Sequence, residues 1–147
     1  MTPLGPMQRT LCALTALAAS ALLFRGPLAA AVVTRGDEAL GAGDAAGAFR
    51  SYRKALMLDP ASPLAADRVA FALALAHRPA AAAAAVDVAT RALQQHPDDP
   101  GLLVDRAFGE LQLRATAAAR RDFARAGAIA HDARYTSLAA RLAPHVP

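Results

Sequence analysis

Between residues 29 and 142 the apolar positions recur at three- and four-residue intervals, and turn signals interrupt them at regular places. The interruptions are Gly43-Asp44, Asp59-Pro60 with Ser62-Pro63, Pro79, and Pro97 to Gly101. A three-to-four spacing is that of a helix with one buried face. It predicts helices over 29–42, 45–58, 63–77, 81–95, 101–113 and 116–130, with Pro79 breaking the middle pair and Asp44 capping the second helix. A last helix over 132–144 carries Tyr135, Leu138, Ala139 and Leu142 at i, i+3, i+4 and i+7, with Arg134 and Arg141 outside that stripe. Few stretches are rich in β-branched residues, so strands are not expected. The chain reads as all-α.

The helices repeat in pairs. Ala48, Tyr52, Ala55 and Pro60 are spaced A-x3-Y-x2-A-x4-P, and Ala85, Ala89, Ala92 and Pro97 repeat that spacing. Ala119, Phe123, Ala126 and His131 repeat it again, with histidine in place of proline. An R-x4-L spacing precedes each: Arg35 and Leu40, Arg68 and Leu73, Arg106 and Leu111. "LAADRVAFALAL" at 64–75 also lies over "LLVDRAFGELQL" at 102–113. Alanine at 48, 55, 85, 92, 119 and 126 lets helices approach closely, while Tyr52 and Phe123 fill the space between units. Ala89 leaves less bulk in the middle unit.

These positions resemble the tetratricopeptide repeat, a pair of antiparallel helices about 34 residues long. Gly36, Ala39, Ala48, Tyr52, Ala55 and Pro60 match its small, aromatic and proline sites, and "KALMLDP" is similar to its usual ending. Val69 departs from the pattern in the second unit, which carries about three extra residues. The resemblance implies a right-handed superhelical stack of three units, 29–60, 63–97 and 101–131, capped by 132–147. It also implies that the first helix of each unit lines a groove. The groove candidates are Val33, Asp37 and Leu40, then Ala66, Ala70 and Leu73, then Val104, Phe108, Leu111 and Gln112. They are mostly small and apolar, and no basic clamp for a carboxylate is among them. The expected partner is therefore another protein, held as an extended peptide or an amphipathic helix.

Ahead of the repeats, "TLCALTALAASALLF" at 10–24 is an uncharged apolar run between Arg9 and Arg25. It is short for a membrane-spanning helix, which needs about 20 residues, and suits a signal-peptide core. Ala29-Ala30-Ala31 offers a cleavage site, yet the first repeat helix needs those residues. Two expectations stand. Residues 1–28 are a retained membrane anchor at the inner membrane with the repeats outside the cytoplasm, or the segment is removed near Ala31 and the protein is periplasmic or secreted. Cys12, the one cysteine, excludes an internal disulfide and reads as a small hydrophobe in that run.

Composition narrows the chemistry. Of 147 residues 55% are hydrophobic but only 5% aromatic, alanine making up the difference. The net charge is +4 and Lys54 is the one lysine. Arg114, Arg120, Arg121 and Arg125 form the densest basic cluster, with Arg114, Arg121 and Arg125 expected on one helical face. No aromatic residues alternate with them to stack on bases, so nucleic acid is not an expected partner. His77, His96 and His131 fall near helix C-termini, where they complement the dipole. No metal-ligand spacing, catalytic constellation or phosphate loop is present, "GAGDAAG" at 41–47 lacking the lysine of one. Asp67-Arg68 and Asp105-Arg106 recur at repeat spacing and read as salt bridges between units. The expected role is a scaffold without enzymatic activity, cofactor, metal or small-molecule substrate, in a bacterial envelope assembly. The alternative is a structural accessory subunit whose N-terminal helix packs within a membrane complex.

Overall fold

The computed structural model describes the backbone of residues 6–143 and the side chains of residues 24–143. Every regular element among them is a helix: α1 (Pro6–Gly41), α2 (Ala45–Leu58), α3 (Pro63–Ala74), α4 (Pro79–Gln95), α5 (Pro100–Gln112), α6 (Thr116–Ala130) and α7 (Ala133–Arg141). Local chemistry sets the ends. Asp44, Ser62 and Asp99 accept hydrogen bonds from the amides of Gly47, Ala65 and Leu102, groups that a helix start leaves without partners. Pro63, Pro79 and Pro100 sit in the first turns of α3, α4 and α5, where a missing N–H costs nothing. Pro79 marks the break within the middle pair by beginning α4, which starts two residues earlier than its pattern predicts.

Each chain reversal inside a pair passes through the left-handed region, at Gly43 (φ 83°), His77 (φ 49°) and Arg114 (φ 61°). His131 (φ 52°) does the same between α6 and α7. His77 and His131 are thus turn residues beyond the helix ends, and Arg114 shares no helical face with Arg121 and Arg125. The α3 helix stops at Ala74, short of the predicted 77, because His77 already turns the chain.

Each helix packs on the next, and α1, α3 and α5 also touch side by side. The second helices α2, α4 and α6 make no comparable contact, so the first-helix side is the concave one. The core has two parts that meet at α3. One gathers Val33, Tyr52, Ala55 and Val69, and the other Leu102, Leu103, Phe123 and Ala126. Tyr52, Phe123, Leu102 and Leu103 are the largest fully buried side chains. Of the expected close-approach alanines, Ala48, Ala55, Ala85, Ala119 and Ala126 are buried, while Ala92 is half-buried. Gly36 serves the same end, since a β-carbon there would overlap the Tyr52 ring. α7 closes the stack with Ala139 buried and Tyr135, Leu138 and Leu142 packed on the second core.

The α1 helix runs without interruption through Pro27, so the boundary expected at residue 28 falls inside it. Among the residues whose side chains are described, 24–28 are exposed and burial begins at Ala29. The apolar run 10–24, apart from Phe24, lies outside the residues whose side chains are described, as does Cys12. Among the described residues no helix is long and apolar enough to cross a membrane.

Candidate functional site

The α3 helix is apolar on both sides, but the two sides differ in size. Ala65, Ala66, Val69, Ala70 and Ala74 are buried against the neighbouring helices. On the opposite stripe Leu64, Phe71 and Leu75 are 43%, 36% and 50% exposed. Small side chains let helix axes approach, so they take the packed face and leave the large ones outside. Phe108 of α5, 42% exposed, adds a fourth large apolar group on the first-helix side. Its ring stands edge-on to Phe123 at 5.2 Å between centroids, which fixes its orientation.

Polar groups on the same side bind the units together. Asp37 of α1 accepts from the Tyr52 hydroxyl at 2.7 Å and from Arg68 Nε of α3 at 3.0 Å. Burial and the Asp37 bond push the Tyr52 hydroxyl up to about 12. Arg68 also donates to Asp67 at 3.0 Å. Asp67 in turn shares a hydrogen bond with Asp105 of α5. Asp105 is 5% exposed and its Oδ2 has no hydrogen-bond partner. Burial first, then the charge of Asp67 and the bond to it, push Asp105 up to about 8. Asp67 is also raised, by burial above all, against the opposing pull of Arg68. One proton thus lies between two carboxyls at neutral pH. Arg106 is engaged elsewhere: its guanidinium grips both carboxylate oxygens of Asp122 on α6. Of the two expected inter-unit arginine bridges, that of Arg68 joins units and that of Arg106 lies within one.

The expected groove residues divide in three ways. Val33, Ala66, Ala70 and Val104 are buried and offer no free surface. Leu40, Leu73, Leu111 and Gln112 are half-buried, and Gln112 donates to the Ala74 carbonyl at 2.6 Å. Asp37 and Phe108 are exposed. In the second unit Leu64, Phe71 and Leu75 are exposed on the stripe opposite the buried Ala66 and Ala70. Leu40 and Leu73 join Phe71 and Leu75 in lining an open apolar cavity of about 310 Å³ between α1, α2 and α3. A second cavity, of about 410 Å³, lies on the other side, walled by Leu56, Ala66, Val88 and Ala92. Among the described residues, no group of three or more His, Cys, Asp or Glu side chains is placed to hold a metal ion.

Charge separates by layer. The first helices from residue 29 onward carry Asp37, Glu38, Asp67, Asp105 and Glu110 against Arg35, Arg68 and Arg106. The α2 and α6 helices carry Arg50, Arg53, Lys54, Arg120, Arg121 and Arg125 against Asp122. A chain of net positive charge therefore has an acidic first-helix layer.

No family model matches the sequence, and no curated protein matches it. Solved structures do match the fold. The first TPR of Spaghetti (RPAP3), bound to the HSP90 peptide SRMEEVD, superposes with a TM-score of 0.72 at 17% identity, over 80% of this chain and 91% of that one. The Arabidopsis OM64 TPR domain gives 0.72 at 18% identity, over 83% and 99%. The second TPR domain of human RPAP3, in complex with the HSP70 peptide SGPTIEEVD, gives 0.69 at 16% identity, over 80% and 97%. Three helix pairs closed by a seventh helix, aligned over whole domains of this kind, give the chain the tetratricopeptide-repeat fold.

Proposed function

We propose that this chain is a protein-interaction scaffold that holds an apolar segment of a partner along its first-helix face. The observation that carries the reading is the exposed stripe of Leu64, Phe71 and Leu75 on α3, with Phe108 exposed on α5. Large apolar groups left exposed on the first helices are those an occupant would cover. Two neighbours of the same fold hold peptides, which supports the reading. The working units are 29–60, 63–97 and 101–131, with 132–147 as cap. The arrangement calls for no reaction at this face.

The test is a photo-crosslinking amino acid placed singly at positions 71, 108 and 121 of the full chain in its native cells. One protein crosslinked from 71 and 108 but not from 121 is the expected result. Crosslinking from 121 alone would move the interaction to the convex side.

For the setting, the apolar run 10–24 between Arg9 and Arg25 supports attachment to a bacterial envelope membrane, or export after cleavage near Ala31. Phe24 and Leu28, 70% and 53% exposed on the part of α1 that precedes the packed stack, favour a second reading. In it α1 packs against other subunits of a membrane complex and the chain is an accessory subunit. Replacing 10–24 by an unrelated apolar helix separates the two: a plain anchor tolerates the exchange, and a packed helix does not.

A further inference from the structure

We infer that the first-helix groove selects a partner segment with a lysine or arginine beside its apolar residues, the cation seated at Asp67 next to Leu64 and Phe71. The inference rests on the groove reading above and supplies the chemistry of the occupant. Asp67, half-buried against the start of α5, lies one turn from Leu64 and one turn from Phe71 on α3, so its carboxyl borders the apolar stripe. The groups facing it are Asp37 from α1, Arg68 from α3, and Asp99 and Asp105 from the start of α5. Arg68 is the single cation among them and is already divided between Asp37 and Asp67. Beneath Asp67, Asp105 is nineteen-twentieths buried with Oδ2 lacking a partner. Two carboxyls pressed together hold a proton between them, and both can ionise only when a cation joins them.

An ammonium or guanidinium arriving from the groove would supply that charge. It allows both carboxyls to ionise, and the proton they share leaves to solvent. Binding therefore releases up to about one proton, and affinity rises with pH until the pair is ionised without help. Acidic segments meet the opposite condition. The peptides held by the two RPAP3 domains end in Glu-Glu-Val-Asp. Such a tail would lie against Asp37, Asp67 and Asp105 here, a like-charge mismatch that works as rejection. The basic residues of α2 and α6, on the other layer, are not placed to relieve it.

The experiment is selection of random peptides of about 12 residues on the full chain, run in parallel on Asp67→Asn and Phe71→Asp variants whose folding is checked by circular dichroism. Wild-type protein is expected to enrich peptides with Lys or Arg within a helical turn of a large apolar residue. Asp67→Asn should weaken a synthesised winner about tenfold, and Phe71→Asp should abolish its binding. The winner's affinity should rise between about pH 6 and pH 8 on wild type and stay flat on Asp105→Asn. Winners that are acidic or neutral, or that ignore Asp67→Asn, overturn the cation seat while leaving the groove reading intact if Phe71→Asp still removes them. Winners indifferent to Phe71→Asp, or no winners, overturn both. Self-association lost on both Asp67→Asn and Arg121→Glu would make the occupant a second copy and overturn the partner assigned here.

Discussion

Replacing Asp105 by Asn isolates the contact that joins α3 to α5. In the folded chain burial, the charge of Asp67 and the bond to it hold the Asp105 carboxyl near 8, against 3.8 when it is free. Between those values the folded state keeps a proton that the unfolded state has released. Its stabilising contribution is complete below about pH 4, falls as pH rises through neutrality, and is gone above about pH 8. The full span corresponds to roughly 6 kcal/mol, about 1.4 kcal/mol for each pH unit. Because Asp67 shares the proton and is raised too, the part that belongs to Asp105 is smaller, about 2–3 kcal/mol. Asparagine keeps the shape and can donate to Asp67 as the protonated carboxyl does, but it never ionises. The variant should match the parent within about 1 kcal/mol near pH 5 and exceed it by about 2–3 kcal/mol near pH 9. In a chain of this size that is a rise in Tm of about 5–10 °C. Urea unfolding followed by circular dichroism at a series of pH values measures it, the slope against denaturant remaining unchanged. Taking variant against parent cancels the other carboxylates. Parallel pH profiles, or a variant less stable than the parent at pH 9, would refute the shared proton.

Three further outcomes test the packing. Gly36→Ala pushes a methyl into the Tyr52 ring and should cost about 1–3 kcal/mol; adding Tyr52→Leu should make the two losses non-additive in thermal unfolding. Asp122→Ala leaves the Arg106 guanidinium, whose side chain is only 22% exposed, without its main partner, and a loss of about 3 kcal/mol is expected. The pair replaced together by Met and Leu should lose less. Ala55→Trp places a large ring at a fully buried position and should broaden or abolish the cooperative unfolding transition. Unchanged melting in that variant would contradict the close approach of α1 and α2.

The helix pairs were readable because their chemistry is local. Asp44 with Gly47, the small residues at 48 and 55, and Tyr52 between them each act within one turn or one neighbouring helix. Element ends were less so where proline and histidine carry two meanings. Pro79 breaks a helix from within but starts one at its first turn, and only the fold says which. The exposed stripe of α3 was not legible for a different reason. Periodicity separates apolar from polar, and α3 is apolar all round, so it holds no contrast for that method. The contrast present is size: Ala65, Ala66, Ala70 and Ala74 against Leu64, Phe71 and Leu75. The same preference for small residues at close approach that identified Ala48 and Ala55 on α2 picks out the packed side of α3.

The acid pair was hidden by a habit of reading rather than by the chain. Asp67 and Asp105 occupy matching places in "LAADRVAFALAL" and "LLVDRAFGELQL", each followed by an arginine, and the adjacent opposite charges invite pairing as salt bridges. In a stack, however, matching places on successive first helices become neighbours in space, because α1, α3 and α5 lie side by side. A residue type repeated at one position is then brought against itself. Alanine repeated in this way gives close packing, whereas aspartate gives two carboxyls that must share a proton or find a cation. Arg68 escapes the rule by reaching sideways to Asp37, and Arg106 by turning to Asp122 on α6. Neither neutralises Asp105. The burial of that one carboxyl is therefore a consequence of repetition itself, and the proton it keeps is one that a cation arriving beside the exposed apolar residues could replace.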